Sequence, residues 1–141
     1  MSIVSTGNPF DFFDVDEIDS RGEIVWSPVL VRHGRMMDDL RRWREKPINI
    51  NSWFRSPEHN ISVGGSKNSC HLTGEACDVA LPRLTATEIR EHIAAWKAIC
   101  VVYGVIGGVG IYDWGLHVDS NNNPTRYGAY SNKFRVQDYR R

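Results

Sequence analysis

Two stretches of helical period and several strand-length runs predict an α+β domain: a small antiparallel sheet packed against two or three helices. The helical stretches lie at 28–45 and 85–102, and the strand-like runs at 48–54, 76–81, 109–112 and 116–120. Turn residues separate the runs, with no long linker between them. At 141 residues the chain can bury one hydrophobic core but not two, so a single domain over 1–141 is expected.

The elements follow in chain order. Residues 8–26 are acidic and aromatic, and read as an irregular segment with one turn at Ser20-Arg21-Gly22 and an apolar anchor at Ile18 and Ile24-Val25-Trp26. Their carboxylates fit no calcium-loop spacing, and a solvated surface is expected. Pro28 suits the first turn of a helix, and Val29, Met36, Met37, Leu40 and Trp43 recur near helical spacing, as core packing. His33 is expected on the exposed side of this helix, which Pro47 stops. Ile48 to Phe54 begins in alternation and reads as a strand, and Pro57 opens a short helix to Val63. Ala76 to Leu81 is a buried strand with Asp78 as its one charge, ended by Pro82.

Thr85 and Glu88 have capping-box spacing at the head of the clearest helix, whose apolar face is Ile89, Ile93, Trp96, Ile99 and Cys100. His92 is expected to face solvent or a helix neighbour. Glycines at 104–110 lead into strands at 109–112 and 116–120, with no phosphate-loop Lys-Ser/Thr after them. The tail, 126–141, reads as a last strand and a frayed end.

Bulk properties narrow the functional classes. Seventeen basic and seventeen acidic side chains cancel, so no net field steers the chain to nucleic acid or an anionic membrane. No apolar run approaches the ~20 residues of a membrane span. The N-terminus has neither the basic nor the apolar part of a secretory signal, so cytosolic synthesis is expected. Three cysteines, Cys70, Cys77 and Cys100, make a disulfide framework unexpected and point to reduced thiols. Such a small neutral domain is most simply a monomer.

Chemistry concentrates in two segments. The first ends in Ser69-x-His71-x-x-Gly74-x-Ala76-x-Asp78, and the second runs from Gly107 to His117-Val-Asp119. A carboxylate in an apolar strand is costly unless it is paired or metal-bound, which singles out Asp78. His71, Asp78 and, from a distant strand, His117 make two imidazoles and one carboxylate, a ligand set suited to catalytic zinc with one position left for water.

Together with Ser52-Trp-Phe-Arg55-Ser-Pro57, these segments resemble the zinc D-alanyl-D-alanine peptidases, a family that includes cell-wall carboxypeptidases and phage endolysins. The match holds at Ser69, His71, Gly74, Ala76, Asp78 and the closing His117-Val-Asp119. The wording Arg55-Ser-Pro-Glu-x-Asn60 and Val63-Gly-Gly-x-x-x-Ser69-x-His71 is similar to a short, single-domain, endolysin-like branch, over about residues 28–120. The resemblance implies a hedgehog/DD-peptidase-like fold whose sheet carries Zn²⁺ on His71, Asp78 and His117. It also implies Arg55 as a substrate-side cation and Ser69 as support for the ligands.

The chain departs from the family at one position. Many members carry an acidic general base three residues before the last histidine, where this chain has Trp114. In an extended strand 113, 117 and 119 share a face, so both Asp113 and Asp119 could reach a metal-bound water. Asp113, in a Trp-Gly loop that can bend towards the site, is the favoured base and Asp119 the alternative. Trp53, Tyr112, Trp114 and Tyr127 are candidates for the groove wall, with at least two of them expected in the core. The implied substrate is a peptidoglycan stem or cross-link peptide, reached by a lysin released through a holin or carried in a virion. The competing reading is a non-catalytic zinc module of the same fold.

Overall fold

The computed structural model describes residues 8–19, 21–65, 67, 69–81 and 83–122. The expected last strand and Tyr127 lie outside the described residues.

A four-residue helix, α1 (Val15–Ile18), stands where an irregular segment was expected. Its cause is local: Asp14 and Glu17 form a capping box. One of the carboxylates expected in solvent is also used internally, because buried Asp19 accepts the amides of Arg21 and Glu23. Ile18 enters the core, and its carbonyl accepts the Phe54 amide at 3.0 Å.

Helix α2 (Pro28–Arg44) has Pro28 in its first turn and Ser27 as its cap, with the Ser27 side chain accepting the Leu30 amide. It ends where Glu45 turns left-handed. Met36, Met37 and Leu40 face the core as expected; Leu30 is buried where Val29 was expected, Val29 is only partly buried, and Trp43 is 45% exposed. His33 lies on the buried face, with no exposed surface, rather than in solvent. Burial, then the positive charges of His117, His71 and Arg32, holds its pKa well below the ordinary imidazole range.

Strand β1 (Asn49–Ser52), helix α3 (Pro57–Ser62) and a one-turn 3-10 segment at Cys70–Leu72 follow. Next come β2 (Ala76–Ala80), α4 (Ala86–Tyr103), β3 (Gly108–Tyr112) and β4 (Gly115–Asp119). The Thr85–Glu88 capping box of α4 is present. His92 meets a helix neighbour: its Nε2 accepts from Arg44 of α2, and its Nδ1 donates to the Glu88 carbonyl.

The sheet has the order β1-β2-β4-β3, all antiparallel. Alternation sorts its side chains. Cys77 and Val79 of β2, and Leu116 and Val118 of β4, join the core with Trp53 and Trp96. Asp78, His117 and Asp119 occupy the opposite face, and Asp78 pairs directly with His117 across the strands. No helix among the described residues is long and apolar enough to cross a membrane.

The tight β3–β4 reversal depends on Gly115, whose φ is +147°. A Cβ there would come within 2.0 Å of the Val79 carbonyl oxygen and 2.5 Å of the Leu81 amide. Both are backbone atoms and cannot rotate away. Gly115→Ala is therefore expected to lower unfolding free energy by about 2 kcal/mol or more, read from the denaturant midpoint.

Candidate metal centre

The centre is assembled from one loop and two central strands. After β1 the chain turns Trp53 into the core, and the Arg55 amide bonds to the His71 carbonyl at 2.9 Å. Ser69 caps the 3-10 turn by accepting the His71 amide at 3.1 Å. Gly74 closes the loop at φ +79°, where a Cβ would strike Leu30 at 2.5 Å. Its carbonyl accepts the Trp53 indole N–H at 2.9 Å.

These contacts settle the state of one ring nitrogen. His71 Nδ1 lies 2.7 Å from the Trp53 carbonyl oxygen. A carbonyl only accepts, so Nδ1 carries the hydrogen. In the neutral ring Nε2 then holds a lone pair, and it points at Asp78 Oδ2, 3.3 Å away. From the other side His117 Nδ1 lies 2.9 Å from Asp78 Oδ1, and its Nε2 lies 3.3 Å from Asp119 Oδ2. One ligand atom from each of His71, Asp78 and His117 can be chosen so that all lie within 4.8 Å of one another.

Electrostatics follow from this crowding. Burial alone would raise the Asp78 pKa, but hydrogen bonding and charge from His117, and from His71 when its Nε2 also carries a hydrogen, bring it well below the usual carboxylate range. Burial would lower the His117 pKa, but bonds to Asp119 and Asp78 and the charges of both carboxylates raise it to about 9. Doubly protonated, this ring donates to both carboxylates and supplies the positive charge between them.

Arg55 is aimed at the same group. Its Nη2 is 3.7 Å from Asp78 Oδ2, its Nε donates to Ser52 Oγ at 3.1 Å, and its Nη1 donates to Asn60 Oδ1 at 3.2 Å. Asn60, named in the Arg55-Ser-Pro-Glu-x-Asn60 wording but given no role there, is buried in the helix that Pro57 opens. Gly65 leaves room for this bond, since a Cβ there would meet Asn60 Oδ1 at 2.1 Å.

The two candidate bases are placed differently. Asp119 is buried and touches His117. Asp113 is exposed on the β3–β4 turn, and no described hydrogen bond or ion pair joins it to the histidines. At ~3.3 Å per residue, Gly115 already lies ~7 Å along the strand from His117, and Asp113 lies beyond it. The turn breaks the alternation that put 113 and 117 on one face. Tyr112 and Trp114 flank Asp113 as a stacked, partly exposed pair with ring centroids 4.8 Å apart. Trp53 belongs to the core rather than to a groove.

The three cysteines are buried and joined by no disulfide. Burial first, then the Asp78 charge, pushes the Cys77 thiol well above its ordinary range, so it offers no thiolate. The donor set of two imidazoles and one carboxylate fits zinc.

A family model described as Peptidase M15 matches residues 12–119, which takes in α1 and the segment ahead of α2 as well as the expected core. Among curated proteins, none matches the chain.

Proposed function

We propose that this chain, which belongs to the peptidase M15 family, is a zinc-dependent hydrolase of peptidoglycan stem or cross-link peptides. In its finer form the proposal is a phage-type lysin that cuts a D-alanyl bond. One observation carries the metal reading: the Trp53 carbonyl forces a His71 lone pair toward Asp78, which His117 faces from the next strand.

Zinc at this centre would supply a Lewis acid that acidifies a water and polarises the scissile carbonyl. His71 would hold it through Nε2, Asp78 through its carboxylate and His117 through Nδ1. Asp119 would accept the remaining His117 N–H, which fixes the ring and its tautomer. Arg55, braced by Ser52 and Asn60, presents a forked donor to a substrate carboxylate or to the developing oxyanion. Paired variants separate the two acids. An orienting Asp119 predicts weaker metal binding in Asp119→Asn. A base at Asp113 predicts lost turnover with metal retained in Asp113→Asn.

The test is mass mapping of products from defined peptidoglycan, with and without chelator, beside His71→Ala. A new amino terminus released only with metal, and not by His71→Ala, is expected. Undiminished cleavage after chelation, or in His71→Ala, overturns the proposal. One observation favours the non-catalytic alternative: Trp114 stands where many relatives carry the base, while Asp119 is already engaged by His117 and the Asn121 amide. Tight zinc binding with no product from any wall substrate or peptide panel would select it.

A further inference from the structure

The least expected residue beneath the centre is His33. It is completely buried on α2, and its Nε2 has no hydrogen-bond partner among the described residues. A buried ring nitrogen without a partner costs stability that an apolar side chain would not. What this histidine touches accounts for its presence.

His33 Nδ1 lies 2.8 Å from Ser120 Oγ, the residue after Asp119. Its ring meets Trp53 and Trp96 edge to face, with centroids 5.8 and 5.5 Å away. Each of these three neighbours governs part of the centre. Trp53 offers the carbonyl that sets the His71 tautomer and ties its indole to the loop at Gly74. Trp96 donates its indole N–H to the Asp119 carbonyl at 2.9 Å. Ser120 is pinned by its amide to the Glu75 carbonyl, three residues before Asp78, and its own carbonyl accepts from Arg32. Thus one side chain is wedged between the support of His71 and the support of Asp119.

We propose that His33 is a positioning residue, holding the Asp119–Ser120 end of β4 and the Trp53 carbonyl in the relative placement that lets His71 and His117 converge. This rests on the metal reading of His71, Asp78 and His117. His33 never meets the ligand. It acts by fixing the strand end from which Asp119 reaches His117, and its bond to Ser120 is the link that can be cut with least damage to the core.

The experiment measures Zn²⁺ affinity by competition with a chromophoric chelator, and the Co²⁺ visible spectrum as a report of ligand geometry. The proteins are the full chain, Ser120→Ala, His33→Phe, the double variant, and Ile89→Val as a core change outside these bonds. Ser120→Ala and His33→Phe should each weaken Zn²⁺ binding roughly tenfold and alter the Co²⁺ spectrum, as loss of an outer support does. The double variant should be no weaker than the worse single one, because both cut the same bond. Ile89→Val should leave affinity and spectrum unchanged. Unaltered affinity in Ser120→Ala, or losses that simply add, overturns the positioning role. If His33→Phe does not fold, Ser120→Ala alone decides. If the unaltered chain binds no Zn²⁺, the metal reading fails and this inference with it.

Discussion

Asp78→Asn should weaken zinc binding by roughly a hundredfold or more and reduce peptidase activity in proportion, because it removes a proposed ligand rather than a support. Asparagine keeps the shape, so the fold should survive, but the negative charge shared by His71, His117 and Arg55 disappears. The metal-free protein carries a second signature. Its His117 pKa is raised from 6.5 to about 9, so this group stabilises the fold fully below pH 6.5 and ceases to do so as pH rises through about 9. The Asp78 pKa is depressed from 3.8, so its contribution is present above that pH and is lost as pH falls. Chelated wild type should therefore be most stable between about pH 4 and 6.5 as far as these groups act. Asp78→Asn should flatten both limbs, and zinc should restore the alkaline limb of the wild type. Thermal unfolding across pH, with and without chelator, reads all three effects. Retained zinc and turnover in Asp78→Asn would remove this residue from the ligand set.

Arg55→Met should cost roughly 10²–10³ in kcat/KM while leaving zinc binding near normal, the scale seen when one donor to a developing oxyanion is removed. The guanidinium is held by Ser52 and Asn60, and its Nη2 stands 3.7 Å from Asp78 Oδ2, beside the proposed metal position. Lysine carries the charge without the fork and should recover only part of the loss. A rise in KM alone would indicate a carboxylate clamp, whereas a fall in kcat would indicate the oxyanion role. Unchanged kinetics in Arg55→Met would leave the arginine as a loop brace alone.

The larger elements were legible because their signals are local. Pro28 opens α2, the Thr85–Glu88 box opens α4, and the helix and strand boundaries fall within a residue or two of their sequence expectation. The meeting of His71, Asp78 and His117 was legible because a charge in an apolar strand calls for partners, and the matched motif named them. Other features depend on distant contacts that spacing does not encode. His33 is polar and follows an arginine, and its burial rests on distant partners, Ser120 87 residues away and the rings of Trp53 and Trp96. Trp53 looks like a groove aromatic, yet its carbonyl and indole N–H both tie the metal loop. The strand alternation that put Asp113 on the face of His117 does not carry through, because the chain reverses between Tyr112 and Gly115. Helix α1 was missed because four residues cannot display a period.

The direct pairing of Asp78 with His117 also bears on how the chain folds. A slip of one residue between β2 and β4 would turn every side chain of one strand to the opposite face. It would carry one member of the pair into the core and leave the other behind. A cation that needs both therefore ignores mispaired sheets and draws the population toward the correct one by mass action. The same residues would then act twice, first as a proofreader of strand alignment and only afterwards as a place for chemistry.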